Sequence, residues 1–528
     1  MSQVGDDLLG GIFVSASVLT LCVIADVLIK RYNLVWLPES VAAMFIGAVA
    51  GGLLALFDNA LAERVEFDGA VFFFILLPPI IFDAGFTLQK RHFFANLGSI
   101  LTFAVLGTMI STCAIGFGLW YAAQWMQLDE LKNASKNYDI LEFLMFSSLI
   151  SATDPVATLN IFASASVDAP PLLNALVFGE SVLNDAIAIV LYQTFETIRA
   201  SGMTETRGIV WPAVASFVAN ALGSTAIGLV FALIMSFVTK RVEFSRLAAP
   251  HYECTLLILC AIMAYMVPQL FDLSGIMSLF FAAVGLSHYC FHNISFESQE
   301  ASHILFKTIS QLSETFLFMY LGLVFVVHAF VTSQDRWSWP LIGSTLVLIF
   351  VSRALQVFPL AWLLNLFRRK PIPLRMQTCI WFAGLRGAIS FAVSRSMVTD
   401  SSNYYRSTTT IVVLFTTVVC GPLTEPLMRK MRMRAQDVES DAAAASTFDP
   451  SVPRSITDIP MSVRSSVGSE PDPDAEARDR AERQEDEVEA EEEEARRSGW
   501  CARLAAFDEN WMKPWFGGRV RLQVRQRR

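Results

Sequence analysis

Two short polar stretches interrupt strongly apolar sequence: Thr153-Asp154-Pro155 within SLISATDPVATL, and Glu180-Ser181 with Asn184-Asp185 within LVFGESVLNDAIAIV. At lipid depth a carboxylate costs about 3 kcal/mol even on insertion scales, so three acidic residues there require a wet cavity, a partner or a cation. On a helix turning about 100° per residue, Glu180 and Asn184 become i,i+4 neighbours, as do Ser181 and Asp185, and the four form one polar stripe. A polar seam between two helices accounts for Ser181 and Asn184, but poorly for an ionisable Asp185. Pro155 removes an amide donor and pushes Asp154 toward extended geometry, so the helix is expected to unwind near Thr153. A proline kink without function is the alternative reading. Unwound backbone survives at mid-membrane only beside a cavity, where carbonyls and helix ends can coordinate ions. The Thr153 carbonyl, Asp154, Ser181 and Asp185, with Asn184 on the same stripe, would then offer an oxygen-only set suited to Na+ or K+.

A third break lies far along the chain. In WFAGLRGAISF, Gly384 and Gly387 flank Arg386, and glycines let backbone leave the helix and approach a neighbour closely. Arg386 must be neutralised, and Glu180 is the expected partner, which would leave Asp185 available. Glu314 in SETFLFMYLGL and Arg353 in FVSRALQV are expected to form a second buried ion pair with a structural role. The six histidines sit mostly at expected helix ends, as surface groups rather than pH sensors.

These residues must be positioned by membrane helices. With 54% hydrophobic and 17% charged residues over 528 positions, the chain reads as an all-α polytopic membrane protein with a polar tail. Thirteen apolar stretches are long enough to cross hydrocarbon, the fifth and twelfth carrying the backbone breaks. Lys30-Arg31, Lys90-Arg91, Lys240-Arg241 and Arg368-Arg369-Lys370 fall in alternate loops, which puts the N-terminus outside or in the lumen and the C-terminus in the cytosol. The first span carries Asp6 and Asp7 where a cleaved signal would be basic, so it is expected to remain. Asn133 in Asn133-Ala134-Ser135 is a glycosylation candidate in a lumenal loop, and Asn293, on the other side, should go unused. The cysteines lack CxxC spacing and read as small packing residues.

Three regions follow from composition: a membrane region at 1–433, an acidic tail at 434–499 and an amphipathic, basic end at 500–528. Between Asp437 and Gly499 stand 19 acidic and 7 basic residues, a net of −12 against −9 for the whole chain, so the acidity belongs to the tail. That segment cannot bury enough apolar surface to offset chain entropy and is expected to be disordered. The end, with Trp500, Leu504, Phe507, Trp511 and Trp515 before an arginine run, should lie on a membrane surface or against the cytosolic face of the membrane region. Deleting it should modulate the activity of that region rather than abolish it.

LLPPIIFDAGFTL, RHFFANLGSIL, SATDPVATL, FGESVLNDAIAIVL, SETFLFMYLGL and GLRGAIS, in order from about Phe72 to Met428, resemble the eukaryotic sodium/proton exchangers of the monovalent cation/proton antiporter family. FFANLGSIL, VSRALQVFPLAWLLNLFRR and FDENWMKPWF resemble its endosomal and Golgi branch. The resemblance implies homodimers with a dimer domain and a mobile core holding two crossed discontinuous helices. It implies that Asp185 is the shared carrier of cation and proton, that Asp154 and Ser181 help hold the ion, and that Asp83 lines the same cavity. Asn184 stands where electrogenic relatives carry a second aspartate, which implies electroneutral exchange. Asp185 then holds a proton or a partly dehydrated cation, never both, and an empty site cannot cross lipid.

Two other classes compete. A passive channel is disfavoured by a single acidic site without repeated pore carbonyls. A nontransporting scaffold would act through its tail, which has room for cytosolic regulators. No nucleophile-base pair, cofactor motif or nucleic-acid signature is present, so neither enzyme activity nor a cofactor is expected, and the partners are lipid and a second copy.

Overall fold

The computed structural model describes residues 2–32, 37–57, 71–88, 90–128, 131, 138–154, 170–200, 206–242, 250–330, 337–368, 371–399, 401–431, 508 and 512–517. Asn133, Pro155 and the acidic tail at 434–499 lie outside them. The described chain is helical: α1 Ser2–Arg31, α2 Glu39–Phe57, α3 Phe72–Phe86, α4 Leu97–Trp125, α5 Ile140–Ser151, α6 Pro171–Ala200 and α7 Thr206–Val242. There follow α8 Pro250–Gln269, α9 Gly275–Cys290, α10 Phe296–Phe330, α11 Trp339–Asn365, the interrupted α12 (α12a Leu374–Phe382, α12b Ala388–Ser396) and α13 Ser402–Lys430. Nine of these are long and apolar enough to span a membrane, and three shorter apolar helices plus α12 account for the remaining expected stretches.

Local chemistry sets several ends. Asp139 caps α5 by accepting the Leu141 amide at 3.0 Å, and Ser274 caps α9 by accepting that of Met277 at 3.3 Å. Wide π-type turns occupy Thr102–Gly107 in α4, Leu286–Cys290 in α9 and Thr416–Cys420 in α13. Such turns are frequent at functional positions.

The helices pack as two groups. One holds α1, α2, α3, α7, α8, α9 and α10; the other holds α4, α5, α6, α11, α12 and α13. They meet where α6 packs on α7 and α10 on α12b, with the Tyr320 and Phe391 rings 6.2 Å apart. Apolar side chains such as Phe45, Leu222 and Trp362 face outward, as lipid contact requires. Helix α6 is the reverse: 89% of its most apolar window is buried, so its polar stripe faces protein.

In the first group α2 and α10 touch backbone to backbone. A Cβ on Gly322 would collide with the Met44 carbonyl, and one on Gly47 with that of Met319. Small residues permit this approach where lipid supplies no hydrophobic drive between helices. Gly322→Val is therefore expected to cost about 3 kcal/mol or more and to lower the yield of folded protein. Gly98→Ala, with nothing within 4 Å of the new methyl, should melt at or above the parent temperature in the same detergent assay.

Candidate functional site

Helix α5 ends at Ser151, and Ala152 turns to φ −59°, ψ 135°. The break falls at Ala152, one residue before Thr153 and beside the expected position. Ending a helix leaves its last carbonyls without intrahelical donors and at the negative end of its dipole. Two side chains from distant sequence supply donors. Asn184 Nδ2 on α6 donates to the Ser151 carbonyl and to Thr153 Oγ1, each at 3.1 Å, while its Oδ1 accepts from Thr108 Oγ1 at 2.9 Å. The Arg386 guanidinium donates through Nη1 to the Ser151 carbonyl at 2.6 Å and to that of Ala152 at 3.2 Å.

The break in α12 lies against the break in α5. The Asp154 amide donates to the Leu385 carbonyl at 2.8 Å, tying one interrupted segment to the other. Gly387 makes room: a Cβ there would lie 2.5 Å from that of Asp154. From α13, Thr416 Oγ1 accepts the Arg386 amide at 3.2 Å and holds the α12 break from its other side. Thr153 Oγ1 donates to Ser181 Oγ at 3.2 Å and so attaches the α5 break to α6.

Asp185 lies on α6 with 5% of its surface exposed. Among the described residues its carboxylate accepts no hydrogen bond, and its electrostatic neighbours are Asp154 and Arg386. The structure thus brings Asp185, Asp154, Ser181, Asn184 and Thr153 to one place, as expected. Asn184, however, has its amide fully engaged in holding the α5 break, which makes it a positioning residue.

The ion pairs differ from expectation. Glu180 pairs with Arg353, not Arg386: Arg353 Nη1 donates to Glu180 Oε1, and its Nη2 donates to Oε2 at 3.2 Å and to the Ile380 carbonyl at 3.2 Å. Gln356 Nε2 adds a third donor to Glu180 at 2.7 Å. The reason is demand: the opened end of α5 takes the Arg386 guanidinium, and α11 delivers the charge Glu180 needs. Glu314 forms no ion pair with Arg353. It sits half-buried on α10, an electrostatic neighbour of Asp154, Asp83 and Glu39. Asp83 on α3 faces α10, where Ser310 hydrogen-bonds it and His303 and Lys307 are near. No hydrogen bond among the described residues joins Asp83 to the Asp185 set.

Thr108, Gln356 and Thr416 escaped sequence reasoning. Each is an uncharged polar residue in an apolar span, and Gln356, one helical turn from Arg353, carried the clearest signal.

An interrupted α12 laid against the unwound end of α5, beside a buried carboxylate, invites comparison with known transporters. The model of the transmembrane sodium/hydrogen exchangers matches residues 16–430. The chain belongs to the sodium/hydrogen exchanger family. Sodium/hydrogen exchanger 8 of Homo sapiens is 38% identical over 433 residues, covering 80% of this chain and 71% of that protein. Sodium/hydrogen exchanger 1 of Dictyostelium discoideum is 35% identical over 432 residues, covering 81% and 61%. The sodium proton antiporter MjNhaP1 from Methanocaldococcus jannaschii shares the fold, with a TM-score of 0.56 at 16% identity over 83% of this exchanger and 99% of that chain. This exchanger is a multi-pass membrane protein, and its activity is cation/proton antiport.

Proposed function

We propose that Asp185 is the carboxylate on which Na+ or K+ and the proton compete, one for one, and that the α4–α6 and α11–α13 group carries it past the other helices. The observation that carries this reading is a buried Asp185 carboxylate with no hydrogen bond among the described residues, beside Asn184, Thr153 and Arg386 Nη1, which are engaged with the end of α5 and with Ser181. Counting charge at the crossing supports the stoichiometry. Among the groups linked to Asp185 and to the Glu180 pair, Glu180, Asp154 and Asp185 contribute −3 and Arg353 and Arg386 contribute +2, a sum of −1 that one proton or one alkali cation cancels; Glu314, a neighbour of Asp154 but not of Asp185, stands outside this set. A loaded site crosses the barrier neutral, and an empty one pays to move a charge through lipid. Among the described residues no three of His, Cys, Asp and Glu converge as a divalent site would need, which favours a monovalent cation.

The protein works in this reading as a homodimer without a cofactor, catalyses no covalent chemistry, and resides in endomembranes with its C-terminus in the cytosol. The endosomal and Golgi resemblance and the alternate-loop lysines and arginines support those assignments.

Reconstituted protein tests the stoichiometry. Sodium- and lithium-driven proton flux in proteoliposomes should keep the same rate when valinomycin sets different membrane potentials. Potassium should be assayed without the ionophore. A rate that follows the imposed voltage, or cation uptake without proton counterflow, would overturn the one-for-one cycle.

A further inference from the structure

On α10, His303, Lys307, Ser310 and Glu314 recur at helical spacing. At about 100° per residue they fall within an arc of about 60°, one polar stripe that runs about 17 Å along the helix. His303 and Lys307 are exposed, Ser310 is buried and Glu314 is half-buried. The stripe faces α3, where Ser310 hydrogen-bonds Asp83 and the charges of His303 and Lys307 reach it. Asp83 Oδ1 is buried there without a hydrogen bond among the described residues. Beyond Glu314 the same face turns apolar, with Leu317 and Leu321 fully buried. Beside them Phe316 stacks on Tyr320, and Tyr320 meets Phe391 of α12b. The polar stripe thus leads from the end where α10 begins to the crossing, and it stops at Glu314.

The charged groups facing Glu314 are Asp154 from the end of α5, Asp83 from α3 and Glu39 from α2, the last paired with Lys30 of α1 at 3.0 Å. Among the described residues no basic side chain is paired with Glu314 and no hydrogen bond engages it. At membrane depth a carboxyl in such company is held by a proton or by a cation. A proton fits better: it needs one acceptor, whereas an alkali cation needs a shell of oxygens, and the face of α10 beyond Glu314 is apolar.

Helix α10 belongs to the group past which Asp185 is carried, so Glu314 keeps its place while Asp154 and Asp185 move. Its charge does not cross the membrane with the site, and so stays out of the sum that fixes the stoichiometry. In this arrangement of the two groups it faces Asp154, and displacement of the core changes that relation.

We propose that Glu314 is a proton-transfer residue for one face of the exchanger, gathering protons along the α10 stripe and passing them toward Asp185. This rests on Asp185 being the carrier. In the uptake direction a proton from water binds the Glu314 carboxylate, passes by way of Asp154 and is held on Asp185 as the cation leaves. Glu314 ends ionised, as it began, and the reverse sequence returns the proton to water. The need is kinetic. Asp185 is 5% exposed, and at neutral pH protons are far scarcer than Na+. A cleft lined by carboxylates raises the local concentration of cations and their rate of capture. Glu314 therefore matters most at alkaline pH, where protons are scarcest, and least at acid pH, where water supplies them.

The test compares two exchange modes of the full-length protein in proteoliposomes: Na+-driven proton flux, and exchange of radiolabelled for unlabelled Na+, which moves no proton. Glu314→Gln should lower the first by about 10-fold or more at about pH 8.5 and by less than about 2-fold at about pH 6. The second mode, and its KM for Na+, should stay unchanged. Glu314→Asp, which keeps a carboxyl one methylene back, should retain at least about half of the proton flux. Neutralising one carboxyl among several relieves repulsion, so the melting temperature of Glu314→Gln should not fall. Equal loss of both modes, with or without a lower melting temperature, would make Glu314 structural or a cation ligand and overturn the proposal, as would a proton flux that is unchanged or a deficit independent of pH. Either result leaves the carrier role of Asp185 standing, which Asp185→Asn tests separately through the loss of both modes.

Discussion

Asp185→Asn should abolish sodium-driven proton flux, to the level of protein-free vesicles, and leave a folded protein. The two halves of that expectation have one physical origin. Among the described residues the carboxylate accepts no hydrogen bond, so an isosteric amide breaks none. It also changes the charge sum at the crossing from −1 to zero, which removes the need for any counter-ion. A neutral site crosses the membrane without cargo and cannot couple two gradients. The melting temperature of Asp185→Asn should accordingly not fall, and added Na+ should no longer raise it, since a ligand stabilises only what it binds. Full-speed exchange in this variant would refute the carrier role, and loss of fold would show that Asp185 is structural. Asn184→Ala makes the contrast: it deletes donors to Ser151 and Thr153 and the acceptor for Thr108, and should cost both activity and stability.

The second large effect concerns the ion pair behind the site. Glu180 is 1% exposed and receives donors from Arg353 and Gln356, while Arg353 also holds the Ile380 carbonyl at the end of α12a. Removing one partner of a buried pair strands the other, at a cost of about 3–5 kcal/mol. Arg353→Met should therefore lower the melting temperature sharply and reduce the folded dimer or monomer recovered on size exclusion. The double variant Glu180→Gln with Arg353→Met should recover much of that loss, because no uncompensated charge remains. Additive losses in the double variant would show that the two side chains do not act as a pair. Pairing Glu180→Gln with Arg386→Met should give no such recovery, which separates the observed partner from the one expected from sequence.

That contrast marks what sequence reasoning could reach. The polar stripe Glu180-Ser181-Asn184-Asp185 was legible because helical period is local: the spacing itself places all four on one face. The unwinding before Pro155 was legible for the same reason, since proline acts on its own turn and the residue before it. Burial of Arg386 and Arg353 followed from their apolar surroundings, and with it the need for counter-charges. Which carboxylate met which guanidinium was not legible. Glu180 and Arg353 are 173 residues apart, and Arg386 is 235 from the Ser151 carbonyl it serves. Arg386 was assigned a carboxylate partner because charge was counted and open helix ends were not.

By itself, then, the sequence determined the all-helical membrane class, the thirteen apolar stretches, the two interrupted ones and the carboxylate between them, because hydropathy, periodicity and proline act within a turn or a span. Only the tertiary structure decided that Arg386 and Asn184 close the end of α5 and that Arg353 balances Glu180. Those outcomes depend on how helices cross, and a crossing is set by packing among residues far apart in the chain.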